Sequence, residues 1–280
     1  MHDANDQVRH FKLKDPVYII LILLSSLLSF FPSKERDGLC NQINKSYQAG
    51  EKVRYTIYYN VIGLYVNAGK AEFSIKSSTW NNAPAYTFTL NGRSNSKYDW
   101  IFKVRDKYES VVDAKTLLPY QFTRHINEGS FHKKQEVLFD QKNNTATSEA
   151  GVFNTADCTF DVISAIYAAR NINYEKCQIN DKINLSFFID DNLYPSYFKF
   201  LGRSEITTQY GRFKVIKLAP LLVKGSMFDG GEKMIVWVTD DENHIPVRIE
   251  TPIVVGSIKV DLDGYENIRH PMSSLMELVE

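Results

Sequence analysis

Residues 237–266, WVTDDENHIPVRIETPIVVGSIKVDLDGYE, carry turn-forming residues at the same spacing as residues 111–140, VVDAKTLLPYQFTRHINEGSFHKKQEVLFD. In both segments a β-rich run ends in aspartate, a new run begins at a proline, and a Gly-Ser step starts a third run. The matching residues are Asp113, Pro119 and Gly129 in the first copy and Asp240, Pro246 and Gly256 in the second. Turn residues at these points are typical of a strand–turn–strand–turn–strand unit. We therefore predict an antiparallel sheet that contains this unit twice, as an internal duplication.

Most of the remaining chain alternates apolar and polar residues with the two-residue period of half-buried strands. In residues 51–59, for example, Val53, Tyr55 and Ile57 fall on one face of the predicted strand. Residues 98–112 are predicted to form one long or bent strand. About ten long antiparallel strands with many aromatic residues tend to curl and close. We therefore predict a mainly β fold whose antiparallel sheet forms a barrel or half-barrel.

One segment departs from this alternation. Residues 160–170, FDVISAIYAAR, have apolar side chains at 162, 163, 166 and 167, which is the spacing of an α-helix. Thr159 is the expected N-cap, with Asp161 near the positive end of the helix dipole. We predict a single short helix of about three turns in the middle of the chain. Its inward-facing residues are predicted to be Val162, Ile163, Ile166 and Tyr167.

The N-terminus indicates export. Basic residues precede an apolar run at 17–31, and its fifteen residues are fewer than the ~20 that span a bilayer. A basic flank before a short apolar run is typical of a secretory signal peptide. No A-x-A cleavage triplet follows, so residues 1–32 are interpreted as either a signal peptide or an uncleaved N-terminal membrane anchor. A cytosolic hydrophobic tail is the third alternative.

The composition is that of an ordinary globular protein. Hydrophobic residues make up 44% of the 280 residues, which is enough for a sizeable core. Lys plus Arg and Asp plus Glu number 33 each, so the zero net charge gives no support for a nucleic-acid partner. Residues 33–46 lack periodicity and are interpreted as a linker. A single β domain is predicted over 47–270, with a tail at 271–280.

Several blocks of the sequence are characteristic as a set. They are GEKVRYTIYYNVIGLYVNAGKAEF, VVDAKTLLPYQF, EGSFHKK, VLFD, FDVISAIYAAR, YGRFKVIKLAPLLVKGSMF, WVTDDENHIPVRIE and VGSIKV, and they cover about residues 50–266. In order and spacing the chain resembles the bacterial domain-of-unknown-function 3108 family (DUF3108). The resemblance implies a secreted or periplasmic protein of the Gram-negative cell envelope. It implies no established activity and no catalytic residue. The apolar N-terminal segment leaves an alternative location, anchored to the inner membrane, if it stays uncleaved.

Short catalytic motifs are missing from the sequence. There is no phosphate loop, no G-x-S-x-G elbow and no H-E-x-x-H pair, and we predict that the protein is not an enzyme and binds no cofactor. His125 and His132 flank the first Gly-Ser turn, but a zinc site needs further ligands. The acidic residues at 261–266 are similar to a fragment of a calcium loop, but turn chemistry explains them better. No metal site is predicted.

Two cysteines, Cys158 and Cys177, bracket the predicted helix. A helix of about 11 residues is roughly 16 Å long, and the residues after it can extend about 20 Å back. The two thiols can therefore meet, and in an oxidising compartment a disulfide between them would pin the helix to the adjacent strand. The alternative is two small buried apolar side chains. Cys40 follows the apolar segment, but the residues before it do not resemble a lipobox.

The first functional hypothesis is a non-catalytic carrier for an apolar, lipid-like ligand held in the curled sheet. The residues predicted to bind such a ligand are Phe88, Trp100, Phe122, Val162, Ile163, Ile166, Tyr167 and Trp237. The alternative for the helix residues is that they simply fill the core. A carrier needs an apolar concavity on the order of several hundred Å³.

The second hypothesis is a structural or interaction module that docks to an envelope protein partner through a sheet face or edge. Such a module needs a flat apolar patch rather than a cavity. A hydrolase is the third hypothesis, although no nucleophile and base have a recognisable spacing. Membrane contact is predicted only through residues 17–31, if they are not removed.

Overall fold

The computed structural model describes residues 35–279 apart from 37, 41, 62, 225–229 and 254. The predicted signal peptide or anchor at 1–32 lies outside the described residues, as does part of the predicted linker. Among the residues that are described, no helix combines the length and the apolar character needed to cross a bilayer.

The described chain is mostly β. The strands are β1 (Glu35–Arg36), β2 (Lys52–Val61), β3 (Leu64–Trp80), β4 (Ala83–Ser94), β5 (Arg105–Asp113), β6 (Pro119–Glu128), β7 (Phe131–Asp140), β8 (Thr145–Ser148), β9 (Gly151–Asn154), β10 (Thr159–Phe160), β11 (Lys182–Ile189), β12 (Asn192–Thr207), β13 (Gly211–Pro220), β14 (Ile235–Thr239), β15 (Pro246–Pro252), β16 (Ser257–Glu266) and β17 (Leu275–Leu278). The helix α1 spans Val162–Ala169, and 3-10 turns span Ser96–Tyr98 and Tyr174–Lys176.

Two antiparallel meanders make up one continuous sheet. Strands β2 to β9 each pair with their neighbours in the chain, and so do β11 to β16. The antiparallel pairing of β2 with β16 joins the two meanders. Strands β1 and β10 add parallel pairs to β11, and β17 lies beside the start of β13. No pairing of described residues connects β9 to β11, so the predicted antiparallel fold is confirmed as an open, curled sheet.

The predicted duplication is present in the backbone. Strands β5, β6 and β7 form the first copy and β14, β15 and β16 the second, with both prolines starting a strand. Leu117 and His244, which are equivalent in the two copies, both adopt positive φ, at 63° and 45°. The Gly-Ser turns also match, because Gly129 and Gly256 have φ of 59° and 84°. A positive φ has little energetic cost only for glycine, yet Leu117 and His244 both adopt it. The two copies therefore form the same turn from different residues.

Aspartate begins the first turn of each copy, but not at equivalent positions. In the first copy, an Asp113 carboxylate oxygen accepts hydrogen bonds from the backbone N–H groups of Lys115 (2.8 Å) and Thr116 (2.6 Å). In the second copy Asp241 does this, accepting from the N–H of Asn243 at 3.0 Å. Asp240, the sequence equivalent of Asp113, instead forms a surface ion pair. The local hydrogen bonds explain why both turns need aspartate.

Helix α1 begins at a capping box. The Asp161 carboxylate accepts from the N–H groups of Ile163 (2.8 Å) and Ser164 (3.0 Å), and the Ser164 hydroxyl accepts from the Asp161 N–H. The predicted N-cap Thr159 is therefore wrong, because Thr159 belongs to β10 and its hydroxyl donates to the Ala156 carbonyl. Burial raises the pKa of Asp161 above its usual range. With eight residues, α1 is also shorter than predicted.

The disulfide joins Cys40 to Cys158, with their Cα atoms 5.5 Å apart. The predicted bond between Cys158 and Cys177 is therefore wrong. Residues 38–40 run beside β11, where the Leu39 N–H donates to the Asn184 carbonyl at 3.3 Å. Strand β10, which starts directly after Cys158, pairs with the same strand. Cys40 and Cys158 therefore lie side by side. The Cys177 sulfur lies 3.6 Å from the Asn173 carbonyl oxygen.

Helix α1 packs against both halves of the sheet. It contacts β4 and β5 on one side and β10 and β11 on the other. Ile163 and Tyr167 belong to an apolar cluster with residues of β4 to β8, whereas Ala165, Ala168 and Ala169 belong to a cluster with residues of β11 to β14. A third cluster lies between β2, β13, β15 and β16. The helix therefore fills the inside of the curl.

Candidate functional site

Five of the eight predicted ligand-binding residues come together around the helix. Phe88, Phe122, Ile163 and Tyr167 are buried in one cluster, and Val162 packs against it. The rings of Phe88 and Tyr167 are stacked with their centroids 3.9 Å apart. These side chains contact one another and so occupy the space in which a ligand was predicted.

The other three predicted residues lie elsewhere. Ile166 is exposed, so its predicted inward orientation is wrong. The buried face of α1 is formed by Ile163, Tyr167 and the small residues between them, which places Ile166 on the opposite stripe of the helix. Trp237 packs against the third cluster. Trp100 has 83% of its surface exposed and lies in the loop before β5.

Buried polar groups tie the N-terminal segment to the end of the helix. Arg170 and Glu51 form an ion pair, and only 5% and 1% of these side chains are exposed. The Arg170 guanidinium also donates to the Asn243 carbonyl at 2.9 Å and lies 5.5 Å from the ring centre of Tyr47. Perturbed buried charges are often functional, but this pair is closed to solvent and connects three segments. Its role is structural.

His244 belongs to the same buried group. Its Nδ1–H donates to the Arg170 carbonyl at 2.6 Å, and burial lowers the pKa of His244 below its usual range. The imidazole is therefore neutral at neutral pH and serves as a hydrogen-bond donor at the second-copy turn.

Acidic residues near the C-terminus are paired with cations. Asp261 accepts two hydrogen bonds from Arg248 at 2.6 and 2.8 Å, and Asp263 pairs with Lys70 at 3.0 Å. In the described part of the chain, no three His, Cys, Asp or Glu side chains are arranged to hold a metal ion.

Four turns follow one another along one edge of the sheet, at the end that we call the loop end. They are the β2–β3 turn, the β4–β5 loop at 95–104, the β6–β7 turn and the β15–β16 turn, as strand order and register require. Large apolar side chains are exposed on all four. We call these eight residues the loop-end surface: Leu64, Tyr65, Tyr98, Trp100, Ile101, Phe102, Phe131 and Val255.

Hydrogen bonds connect these turns into one continuous edge. The Gly129 N–H donates to the Lys103 carbonyl at 2.8 Å, which joins the β6–β7 turn to the β4–β5 loop. The Asn95 N–H donates to the Ala68 carbonyl at 2.8 Å, which joins this loop to β3. The Tyr59 hydroxyl donates to the Val255 carbonyl at 2.9 Å and so joins β2 to the β15–β16 turn.

The Phe102 ring packs against the Gly129 backbone. A Cβ atom at Gly129 would lie 2.9 Å from the Phe102 ring, and the φ of +59° also favours glycine. The Gly-Ser step of the first copy therefore has two functions: it forms the turn and it supports an exposed aromatic side chain. The second-copy glycine, Gly256, approaches the Asn60 carbonyl instead.

Basic residues lie directly beside the loop-end surface. Lys70, Arg93 and Arg105 occupy neighbouring register positions on β3, β4 and β5, and we call them the basic row. They line an open groove of about 640 Å³ on the outer face of the sheet. Arg105 donates to the Asp99 carboxylate at 2.6 Å, and this bond, with one from Ser94, lowers the pKa of Asp99.

Sequence reasoning missed the loop-end surface because it assigned residues 98–112 to one strand. The structure has a 3-10 turn at Ser96–Tyr98 and an irregular loop before β5 begins at Arg105. A signal was present, because Trp100, Ile101 and Phe102 form an apolar run without alternation, flanked by Lys97 and Lys103. Such a run does not fit a half-buried strand.

Comparison with known proteins identifies the family. The profile of a family described as "Protein of unknown function (DUF3108)" matches residues 54–263. The chain belongs to the DUF3108 family. The resemblance found in the sequence is thereby confirmed, and the match includes the first copy of the duplicated unit and all but the last three residues of the second. No curated protein matches this DUF3108 chain.

Solved structures with a similar fold include a beta-barrel-like protein of domain of unknown function DUF1849 from Brucella abortus. It is 8% identical with a TM-score of 0.54, covering 79% of the DUF3108 chain and 99% of its own. The likeness supports the curled β fold alone. A "putative lipoprotein" from Parabacteroides distasonis is 11% identical with a TM-score of 0.36, covering 82% and 100%. A "putative exported protein" from Bacteroides fragilis is 9% identical with a TM-score of 0.29, covering 80% and 99%.

Proposed function

We propose that this DUF3108 protein is a non-catalytic binding module of the cell envelope that docks to an envelope component through its loop-end surface. The observation that carries this proposal is the exposure of eight large apolar side chains on adjoining turns. Soluble proteins rarely expose a contiguous apolar patch of this kind unless it is an interaction site. The basic and apolar pattern before residue 32 and the Cys40–Cys158 disulfide favour an exported, periplasmic location.

The close packing of side chains inside the curled sheet favours docking over ligand transport. Tyr47, Phe88 and Tyr167 pack edge to face or stacked beside the helix, with ring centroids 3.9 to 5.5 Å apart. The groove of about 640 Å³ is open and lined largely by charged side chains. A carrier for an apolar ligand needs an apolar concavity, whereas a docking module needs the exposed apolar patch that the loop end provides.

Photo-crosslinking tests this proposal directly. We expect benzoylphenylalanine in place of Trp100 to form adducts with envelope protein or lipid when the full chain is exported in a bacterial host. The matched control places the same probe at Trp80, a half-buried tryptophan at the opposite end of β3. The Trp80 probe should form few adducts, because the described turns beside it, at 81–82 and 114–118, expose no large apolar side chain. The proposal fails if position 100 crosslinks no more than position 80.

A second candidate is the carrier function, and one cavity favours it. A concavity of about 520 Å³ lies beside the Cys40–Cys158 disulfide. Its apolar lining includes Leu39, Phe160, Leu185, Pro195 and Leu221. The eight residues predicted from sequence would serve a carrier only if α1 moved, because five of them pack against one another.

Native mass spectrometry with lipid extraction tests the carrier function. If the cavity holds an apolar ligand, purified full-length protein should carry a lipid that is lost in Leu221→Arg. Leu222→Arg is the matched control, since Leu222 is adjacent but does not line the cavity. An apo mass for the unmodified protein, unchanged after incubation with extracted lipids, would exclude the carrier function.

A further inference from the structure

We propose that the partner of the loop-end surface is an anionic lipid bilayer, and that this end of the sheet lies in the bilayer interface. This inference rests on the proposed docking function and names the chemistry of its partner. It also adds a second point of membrane contact to the one predicted at residues 17–31. Three properties of the surface support it: its shape, its residue types and its charge.

The shape of the surface suits a soft, planar partner. From β7 to β16 the edge crosses six strand spacings of about 4.8 Å, which is roughly 29 Å of sheet edge. The apolar side chains lie on separate turns and at the strand ends beside them, and none of them lines the groove of the basic row. A helix or peptide would contact only some of these turns, whereas a bilayer interface can receive all of them.

The residue types are those found at the boundary between water and lipid. Tyrosine and tryptophan are enriched there because their rings are apolar while their polar groups stay hydrated. Tyr65, Tyr98 and Trp100 belong to the loop-end surface, together with five aliphatic or phenylalanine side chains. Trp100 and Leu64 are among the most exposed, at 83% and 72%. No neighbouring side chain therefore has to move before they enter an interface.

Basic residues lie beside these apolar side chains, although the chain as a whole is neutral. Lys97 and Lys103 flank Trp100 in the β4–β5 loop, and the basic row lies immediately behind it. Lys259 lies 4.6 Å from the ring centre of Tyr65 at the other side of the surface. Anionic lipid surfaces attract basic segments placed next to an apolar insertion.

Neighbouring acidic groups neutralise two residues of the basic row, which leaves the lysines of the β4–β5 loop as the charges available to a lipid surface. Asp99 is paired with Arg105, and Asp263 is paired with Lys70. Lys97 and Lys103 are exposed in the loop itself, where they can meet lipid phosphates.

The test must report local contact, because residues 17–31, if they are not removed, would hold the full chain on a membrane by themselves. The chain has three tryptophans. A full-length Trp80→Phe, Trp237→Phe variant therefore leaves Trp100 as the only tryptophan. We expect its fluorescence to shift to shorter wavelength and to be quenched by brominated acyl chains in mixed phosphatidylglycerol and phosphatidylcholine vesicles. Added salt should weaken this effect, because it screens the basic residues.

Two matched variants control for anchoring and for charge. A Trp100→Phe, Trp237→Phe variant keeps only Trp80, and its fluorescence should not be quenched by the same vesicles. Adding Lys97→Glu and Lys103→Glu to the Trp100 reporter should raise the anionic lipid concentration needed for half-maximal quenching by at least roughly 30-fold, because each lysine near an anionic surface contributes about 1 kcal/mol. Both lysines are exposed, so circular dichroism should show an unchanged fold.

The outcomes separate this inference from the function on which it rests. Quenching of Trp100 but not Trp80, dependent on anionic lipid, supports a lipid partner. An unshifted, unquenched Trp100 overturns it. If Trp100 stays in water while a probe at the same position crosslinks an envelope protein, the docking function stands and its partner is a protein. If both experiments give nothing, the docking function and the lipid inference fail together.

Discussion

Arg170→Met is expected to lower the free energy of unfolding by about 3–5 kcal/mol, because it breaks a buried ion pair from one side. Methionine leaves the Glu51 carboxylate, only 1% exposed, without its cation. The carbonyls of Ser46 and Asn243 also lose a donor. Since about 1 kcal/mol shifts the Tm of a domain of this size by about 2–4 °C, Tm should fall by about 10 °C. Urea unfolding followed by circular dichroism measures the loss.

The same substitution at the surface is the control. Arg212 pairs with Glu205, but 47% and 44% of these side chains are exposed. Exposed pairs contribute about 0–1 kcal/mol, so Arg212→Met should leave the free energy of unfolding nearly unchanged. Equal losses for Arg170→Met and Arg212→Met would contradict the argument.

A double substitution keeps the test informative if Arg170→Met does not fold. Glu51→Met combined with Arg170→Met removes both charges, so no unpaired ion remains in the core. We expect the double variant to be more stable than Arg170→Met alone, because the main cost of the single change is the uncompensated carboxylate. A double variant less stable than the single one would show that lost packing, and not the unpaired charge, dominates.

Local sequence signals predicted the duplicated unit well. The turns at Pro119 and Pro246, and the Gly-Ser steps after them, depend on φ preferences and short-range hydrogen bonds that the residues themselves specify. The position of the helix in the middle of the chain was also predicted correctly, because the spacing of its apolar residues is a local signal. Of its four residues predicted to face inward only Ile166 was misplaced, because the three alanines that are buried instead count as apolar as much as Ile166 does. The spacing of apolar residues cannot by itself show that a small alanine is buried while a large isoleucine is exposed.

Long-range contacts set the features that the sequence did not predict. Cys40 lies in a segment without periodicity, and only its position beside β11 brings it to Cys158. The loop-end surface was missed because apolar residues are expected to be buried, which placed Trp100 in a strand or in a ligand site. Its exposure follows from the early end of β4 at Ser94 and the late start of β5 at Arg105.

Removal of the disulfide is expected to have the other large effect. Cys40 and Cys158 are 118 residues apart, so the bond closes a loop that contains the whole first meander. In the chain-entropy model a loop of this length contributes about 5 kcal/mol, mainly by restricting the unfolded chain, while measured values are typically about 2–4 kcal/mol. We expect Cys40→Ser to lower the free energy of unfolding within this range, as measured by urea denaturation without reductant.

Cys177→Ser provides the matched control, because it changes a cysteine outside the disulfide. It should leave the unfolding midpoint nearly unchanged, and reductant should destabilise this variant as much as the unaltered protein. Reductant should have no further effect on Cys40→Ser. Peptide mapping under non-reducing conditions adds an independent readout, since it should recover Cys40 joined to Cys158. Recovery of Cys158 joined to Cys177 would show that residues 38–40 do not lie against β11 as the structure places them, and the loop-length argument would then no longer apply.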